Sequence, residues 1–263
     1  MKIAVIGAGN MGGAVARGLV KAQTVRAADI TVSDISETVL HHFSELGCHT
    51  TPDSKAAVKG ADVVFLVVKP WLVEEVLKGF KNELDYPSQL FVCIAAGVTP
   101  EQLSAWLGSD ANGVVPQSFV VIPNTAIDVL RSMTFITPVS AREDAVATVK
   151  GLFDTMGSSM VIPYGMMAAA TAVASCGIAY AMRYILDAAR GSVEMGFSPS
   201  EAVPVVCQTM LGALGLMMRE GADPEAEIVK VCTPGGLTLK GLKEMEDAGF
   251  TSAIIRGLKA SVK

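Results

Sequence analysis

Charge, histidine and paired cysteine are all scarce in this chain. Only 18% of its 263 residues are charged, and the net charge is −5 with no long run of either sign. We expect no nucleic-acid partner, because such binding depends largely on basic residues that face phosphates. The five cysteines contain no C-x-x-C pair, so neither a disulfide framework nor a metal site is expected. The apolar run before Gly7 is too short for a secretory signal, and a cytoplasmic location is predicted.

Long hydrophobic runs are also rare. The longest uncharged stretch covers residues 155–182, but Pro163 and Gly165 interrupt it and its second half is mostly Ala, Gly, Ser and Thr. A membrane span needs about 20 strongly apolar residues in one helix. The stretch therefore predicts a buried, closely packed helix and no membrane association.

Apolar residues nevertheless make up 51% of the chain, and their pattern changes near residue 160. Before that point, short β-branched runs alternate with helix-length segments, which is typical of a parallel sheet with crossover helices. The predicted strands cover residues 3–6, 30–32, 63–67, 91–94, 119–122 and 159–162. After that point the pattern is helical, with start signals at Ser198-Pro199-Ser200-Glu201 and at Asp223-Pro224. We predict an α/β fold with a Rossmann-type, doubly wound parallel sheet in residues 1–162 and an all-α domain in residues 163–263.

Small residues recur along the predicted helix 164–189. Ala168, Ala172, Ser175 and Ala179 lie along one ridge of it, where another backbone can approach closely. We predict a homodimer in which two helical domains interleave, and a ring of such dimers fits equally well. A monomeric bundle that buries this helix internally is the alternative.

A G-x-G-x-x-G motif follows the first predicted strand and opens a helix. Its six residues are Gly7, Ala8, Gly9, Asn10, Met11 and Gly12. In this context the first glycine permits a tight turn, the second lets backbone approach a pyrophosphate, and the third lets the helix pack closely. The helix N-terminus then offers free N–H groups to the phosphates. The motif predicts dinucleotide binding; an incidental glycine-rich turn is the alternative.

Ser33 and Asp34 follow the second predicted strand, and Asp34 lies 22 residues after Gly12. An acidic residue at this place can bind the adenosine ribose hydroxyls of a dinucleotide. Its charge would repel a 2′-phosphate by about 1–4 kcal/mol, and no Arg follows it. We therefore predict an NAD(P)H cofactor with a preference for NADH. A solvated turn or a helix N-cap is the alternative role for Asp34.

A proton donor for carbonyl reduction is absent from the expected region. The three histidines, His41, His42 and His49, all fall in the second βα unit, and no Lys occurs between Lys150 and Lys230. Reduction of a carbonyl requires a proton for the alkoxide that forms. A protonated C=N bond requires none, because it becomes a neutral amine when it accepts hydride. An imine is therefore the predicted substrate.

An anion site is predicted near the C-terminus, at Thr233-Pro234-Gly235-Gly236-Leu237-Thr238, just ahead of a helical pattern over residues 239–246. Thr233 can cap this helix, Pro234 suits its first position, and the glycines expose the following amides. Such amides can bind a carboxylate without an Arg, and the Thr238 hydroxyl can bond the carboxylate or a ring nitrogen. An ordinary capped helix is the alternative.

Several segments together resemble pyrroline-5-carboxylate reductases, in order and over nearly the full chain. They are residues 7–12, Val68-Lys69-Pro70, Ala95-Ala96-Gly97-Val98-Thr99, Pro123-Asn124-Thr125 and residues 233–238. The resemblance implies a Rossmann domain, a helical dimerisation domain, and reduction of 1-pyrroline-5-carboxylate to L-proline with NAD(P)H.

The resemblance also implies roles for individual residues. Val68, Lys69, Pro70, Ala95, Ala96 and Gly97 would join residues 7–12, Ser33 and Asp34 in binding the cofactor. Asn124, Cys176, Thr233, Gly235, Gly236 and Leu237 would bind the substrate with Thr238, which would also be the catalytic residue. Ile178, Ala126 and Val120 stand where the family has Pro, Pro and Arg. A related reductase acting on another cyclic imine or a ketone is the alternative function.

Overall fold

The computed structural model describes residues 1–262. It divides into two compact units, Met1–Ser175 (unit 1) and Cys176–Lys263 (unit 2). The predicted domain boundary after residue 162 stays a prediction.

An eight-stranded sheet forms the centre of unit 1, in the order β3-β2-β1-β4-β5-β6-β7-β8. Neighbouring strands are parallel except for β6 and β7, which are antiparallel. The strands are β1 (Ile3–Ile6), β2 (Ile30–Ser33), β3 (His49–Thr51), β4 (Val63–Leu66), β5 (Leu90–Cys93), β6 (Gln117–Ile122), β7 (Ser132–Ser140) and β8 (Gly157–Val161). The strand order reverses beside β1, which is where doubly wound folds bind their ligands.

Helices cover both faces of this sheet. They are α1 (Asn10–Ala22), α2 (Glu37–Glu45), α3 (Ser54–Val58), α4 (Val73–Phe80), α5 (Pro100–Leu107) and α6 (Glu143–Asp154). Alternate side chains of β1 enter two separate apolar cores: Val5 joins residues of α1 and α6, whereas Ile6 joins residues of α3, α4 and α5. The predicted doubly wound α/β fold is confirmed, with one antiparallel pairing.

Two strands, β3 and β7, are absent from the predicted set. β3 has three residues and lies at the sheet edge, which leaves too little pattern to recognise. In β7 the inward positions begin with hydroxyl residues, because Ser132 and Thr134 are buried and their hydroxyl oxygens lie 3.0 Å apart. The hydrogen bond satisfies both groups, and the apolar alternation that identifies a strand is lost.

The turn after β6 is fastened to α1. A Cβ added to Gly18 would lie 2.7 Å from the carbonyl oxygen of Ile127, so glycine is needed for this approach. Arg17 donates to the Asp128 carboxylate over 2.9 Å, and Lys21 donates to the Asp128 carbonyl over 2.7 Å. These cations hold the pKa of the Asp128 carboxyl below its usual value. The helix of the glycine-rich motif and the segment after Pro123 thus form one rigid block.

The helical run that follows β8 is irregular. A short 3₁₀ turn (Tyr164–Met166) leads into α7 (Met167–Ala170), a π-helical stretch (Thr171–Cys176) and α8 (Gly177–Glu194). The predicted ridge through residues 168, 172, 175 and 179 assumed an unbroken α-helix, and that assumption is wrong. A π-helical turn has wider spacing, so residues on either side of it no longer lie in one i, i+4 row.

Unit 2 is helical, with α8, α9 (Pro199–Met217), α10 (Pro224–Val231), α11 (Leu237–Asp247) and α12 (Phe250–Ala260). Both predicted helix starts are confirmed: the Ser198 N–H donates to Glu201 over 3.1 Å, and Asp223 accepts from the Ala226 N–H over 2.8 Å.

Unit 2 buries little apolar surface within the single chain. Of its described residues, Ala189, Ser192 and Ala202 are the only ones classed as buried. The predicted burial of a helix within residues 155–182 is achieved only in part within one chain, because Met167, Ala170 and Ala172 are buried whereas Val173 and Met182 are exposed. Tyr164–Glu194 and Pro199–Met217 are long and apolar enough to cross a membrane, which is weak evidence by itself.

Candidate functional site

The glycine-rich turn is shaped by close backbone contacts that exclude any Cβ. Gly7 has φ 87°, and a Cβ there would lie 2.5 Å from the Val67 carbonyl oxygen at the end of β4. A Cβ on Gly12 would lie 1.9 Å from the Gly7 carbonyl oxygen. The first turn of α1 is therefore seated directly on the chain between β1 and α1.

Gly9 differs from both, because a Cβ added to it would meet no protein atom within 4 Å. Gly9 is also the N-cap of α1, which has no side-chain cap and no acidic residue in its first turn. The N-terminal amides of α1 thus carry a partial positive charge next to free space beside Gly9. A phosphate group can approach these amides, and a side chain at Gly9 would occupy part of the free space.

Asp34 lies at the carboxyl end of β2 and contacts the same turn. Its carboxylate accepts from the Ala8 N–H over 2.7 Å and from the Ser36 N–H over 2.9 Å. It therefore fixes the glycine-rich turn from the adenosine side, and each oxygen keeps room for a ribose hydroxyl. Ser33 is buried, with its hydroxyl 3.3 Å from that of Ser54 and its carbonyl accepting from the Gly7 N–H.

The other predicted cofactor residues follow β4 and β5 at the same edge of the sheet. Val68 packs against the turn, 2.8 Å from the position of a Cβ on Gly7, and Lys69 beyond it is exposed. After β5, Ala95 is buried, whereas Ala96 and Gly97 are exposed. The structure thus brings residues from the ends of β1, β2, β4 and β5 to one edge of the sheet.

Asn124 follows β6 and is 5% exposed. Its side-chain oxygen accepts from the Ala126 N–H over 3.1 Å, and its amide nitrogen donates to the Ala174 carbonyl over 3.2 Å. A second bond joins the same segments, because the Ser175 hydroxyl donates to the Pro123 carbonyl over 3.2 Å. Asn124 and Ser175 therefore join the segment after β6 to the π-helical stretch. The sequence does not predict the hydrogen bond of Ser175, because a small residue in an apolar ridge indicates only close packing.

The C-terminal anion site has a different local structure from the predicted one. Residues 233–236 form a turn in which the Gly236 N–H donates to the Thr233 carbonyl over 2.9 Å, with Gly235 at φ 69°. α11 begins only at Leu237, and its N-cap is Gly236. The predictions that Thr233 caps the helix and that Pro234 is its first residue are therefore wrong. Proline and glycine at the two central positions instead favour the turn.

The N-terminus of α11 is open, which favours an anion site. α11 has no side-chain cap and no acidic residue in its first turn. Leu237 and Thr238 are exposed, so the first amides of the helix are open to a ligand. A Cβ on Gly236 would lie 2.3 Å from the Thr233 hydroxyl oxygen, so the Thr233 side chain fits only against glycine.

The thiols differ in exposure. Cys93 is buried at the end of β5, and burial raises its pKa to about 12, so it stays protonated. Cys176, a predicted substrate-binding residue, is partly exposed at the end of the π-helical stretch. Within residues 1–262, no group of three or more His, Cys, Asp or Glu side chains is placed to hold a metal ion.

Comparison with known proteins decides the family. A family model described as pyrroline-5-carboxylate reductase dimerisation matches residues 165–263, and one described as NADP oxidoreductase, coenzyme F420-dependent, matches residues 2–97. The pyrroline-5-carboxylate reductase of Methanosarcina acetivorans is 32% identical over 99% of this chain and 96% of its own length. The chain belongs to the pyrroline-5-carboxylate reductase family. The resemblance seen in the sequence is thereby confirmed.

Other members agree over the whole chain. The Escherichia coli K12 reductase is 31% identical over 98% of this chain and 94% of its own length. This chain spans about half (48%) of pyrroline-5-carboxylate reductase 1 of Dictyostelium discoideum, at 32% identity over 98% of this chain. The crystal structure of the Streptococcus pyogenes reductase has a TM-score of 0.86 at 28% identity, covering 100% of this chain and 96% of that one. The Plasmodium falciparum structure, with NADP bound, superposes with a TM-score of 0.88 at 22% identity, covering 100% and 95%.

The departures from the family pattern lie in different environments. Val120 is 1% exposed in β6, where an apolar side chain suits the interior. Ala126 supplies the N–H that Asn124 accepts, a bond that proline cannot make. Ile178 is partly buried at the start of α8.

We expect Gly9→Ala and Gly12→Ala to fail in different ways. Gly12→Ala places its Cβ against the Gly7 carbonyl and should lower the melting temperature by several degrees. Gly9→Ala has free space for its Cβ, so its melting temperature should match the wild type while NADH affinity falls at least about ten-fold, since a lost charged hydrogen bond costs about 1.5–3 kcal/mol. Thermal unfolding and calorimetric titration measure both, and a Gly9→Ala protein that binds NADH normally would contradict the assignment.

Proposed function

We propose that this protein is a pyrroline-5-carboxylate reductase, which transfers hydride from NAD(P)H to the C=N bond of 1-pyrroline-5-carboxylate and yields L-proline. Membership of the family supports it, and the observation in the chain itself that carries it is the turn at residues 233–236. This turn leaves the N-terminus of α11 open, so that backbone amides can bind the carboxylate of an imino acid.

The cofactor would be held by unit 1. The amides at the start of α1 would bind the pyrophosphate of the cofactor, and Asp34 would bind its adenosine ribose. Residues 68–70 and 95–97 would contact the rest of the cofactor molecule. When bound, it supplies a hydride from C4 of its nicotinamide ring. The free space beside Gly9, part of which a side chain there would occupy, leaves room for a phosphate group.

The carboxylate of the substrate would be held by residues of unit 2. The amides after Gly235 would bind the carboxylate, and Thr238 would bond the carboxylate or the ring nitrogen. The ring nitrogen arrives protonated and leaves as an amine, so that no side chain has to deliver a proton. Catalysis would then rest on orientation and electrostatic fit. Asn124 already makes two bonds within the protein, so we assign it to holding the π-helical stretch in place, beside its proposed role in substrate binding.

A preference for NADH is the finer part of the cofactor proposal. The Asp34 carboxylate is fixed by the Ala8 and Ser36 amides and cannot easily turn away from a 2′-phosphate. The following residue, Ile35, is exposed and carries no charge to offset the repulsion.

A related reductase for another cyclic imine or a ketone is the second candidate, favoured by the departures at Ile178, Ala126 and Val120. Turnover of 1-pyrroline-5-carboxylate, followed by NADH or NADPH absorbance, separates the two. Absence of turnover with both nicotinamides would exclude the leading proposal.

The assembly we propose is a homodimer through unit 2, alone or within a ring of dimers, in the cytoplasm. The dimerisation-domain match supports association, and so does the large exposed apolar surface of unit 2.

Thr238→Ala should lower kcat/KM for the imine, by an amount equivalent to about 1–3 kcal/mol of lost transition-state stabilisation, because a hydrogen bond to a charged group is lost. Thr148→Ala is a matched control, since Thr148 is partly exposed on α6 and its hydroxyl donates to the Asp144 carbonyl of its own helix. Steady-state kinetics should leave the control unchanged. Wild-type kcat/KM in Thr238→Ala would show that the substrate site is elsewhere.

Wild-type kcat/KM should be higher with NADH than with NADPH, and Asp34→Asn should narrow that ratio by about five-fold or more by removing the charge. Asn is the informative substitution, because it keeps an oxygen that can accept from the Ala8 N–H. Asp53→Asn is the control, since Asp53 caps α3 and its carboxylate accepts from the Lys55 N–H. A strong NADPH preference in the wild-type protein would overturn the proposed role of Asp34.

Sedimentation of the full chain should give at least twice the 27.4 kDa of one chain. Leu211→Lys, on α9, should shift the protein toward monomer, because Leu211 is 61% exposed in the single chain and would be covered in the dimer. Val115→Lys is the control, since Val115 is 48% exposed in unit 1. A monomeric wild type would contradict the proposal.

A further inference from the structure

Trp71 is an exposed aromatic side chain with no evident structural role in the chain. Its exposed fraction is 75%. The only other tryptophan, Trp106, is partly buried and packs against the core on one face of the sheet. A large exposed indole is uncommon unless it binds something.

The position of Trp71 is fixed close to the glycine-rich turn. Val68 contacts that turn, 2.8 Å from a Cβ position on Gly7, and Trp71 follows three residues later. The Leu72 N–H donates to the Lys69 carbonyl over 2.9 Å, which closes a 3₁₀ turn over Pro70–Leu72. Trp71 therefore sits on a short, rigid turn just beyond β4.

A second exposed apolar side chain lies on the other side of β1. Ile35, just after β2, is 96% exposed. β2 and β4 both pair with β1, and Ile6 is in register with Ser33 on one side and with Leu66 on the other. Trp71 and Ile35 thus follow the two strands that flank the strand-order reversal. Neither belongs to an apolar core.

We propose that Trp71 is a cofactor-binding residue that stacks on the adenine ring of the dinucleotide. The proposal rests on the proposed dinucleotide binding by unit 1. Adenine is flat, aromatic and only weakly hydrated on its faces, so an indole beside the phosphate turn is a matching surface. Asp34 would hold the ribose, which brings the base toward the exposed apolar residues rather than toward the nicotinamide end. Stacking of a base on an aromatic side chain tolerates Phe but not Ala.

The two tryptophans make a direct test possible. Tryptophan emission is recorded during titration with ADP-ribose, which contains adenine and pyrophosphate but no nicotinamide. In Trp106→Phe, where Trp71 is the only tryptophan, emission should be quenched by at least about 30% at saturation. In Trp71→Phe, where only Trp106 remains, it should change by less than about 5%. Equal quenching in both proteins, or none in Trp106→Phe, would overturn the proposal.

Calorimetric titration of the same ligand gives the second measurement. Trp71→Ala should weaken ADP-ribose binding at least about five-fold, whereas Trp71→Phe should stay within about two-fold of the wild type. If Trp71→Ala binds ADP-ribose with wild-type affinity, the stacking proposal is wrong, and the proposed dinucleotide binding by unit 1 is unaffected. A wild-type protein that binds neither ADP-ribose nor NADH would overturn both. Altered sedimentation of Trp71→Ala with unchanged affinity would instead identify a contact between copies of the chain.

Discussion

The contact of α1 with the chain at the end of β1 constrains the rest of unit 1. Gly7 touches the Val67 carbonyl, and Gly12 touches the Gly7 carbonyl, at distances that leave no room for a Cβ. Because of this contact, the amides at the start of α1 lie at the reversal of strand order, between β2 and β4. The positions of Asp34, of Val68 and of the open space at Gly9 all follow from it.

The same helix also fixes the segment that follows β6. Arg17 and Lys21 hold Asp128, and the close approach at Gly18 keeps the Asp128 turn against α1. That turn begins at Asn124, whose side chain holds the Ala174 carbonyl. A continuous set of contacts therefore links the helix of the glycine-rich turn to the π-helical stretch, and π-helical turns often occur at functional sites.

The fold and the phosphate end of the site could be predicted from the sequence because both depend on local pattern. β-branched runs separated by helical segments define a doubly wound sheet, and three glycines at this spacing between a strand and a helix are typical of a phosphate-binding turn. β7 could not be predicted, because its buried positions Ser132 and Thr134 are polar. Their hydroxyl groups form a hydrogen bond with each other on one face of the strand. The start of α11 was misplaced, since Thr-Pro fits a helix cap and a turn equally well. Only the hydrogen bond from Gly236 to Thr233 separates the two. The π-helical turn gives no signal in the residue pattern at all.

Glycine N-caps leave three helix N-termini of this chain, those of α1, α11 and α12, without a side-chain cap, whereas several others are capped. Ser36, Asp53, Thr99 and Asp223 cap α2, α3, α5 and α10 with side chains that accept from the first amides. α1, α11 and α12 have glycine at the same position, and none of the three has an acidic residue in its first turn. A glycine N-cap is less stabilising than Ser, Thr or Asp by only about a few tenths of a kcal/mol, so these open ends cost the fold little. The dinucleotide and the imino acid of the proposed function each bring an anionic group, and the open ends of α1 and α11 are the two that we propose to bind them. In that proposal the carboxylate is held by backbone amides, so no side chain neutralises the positive charge of the iminium, and this charge makes its C=N carbon a good hydride acceptor.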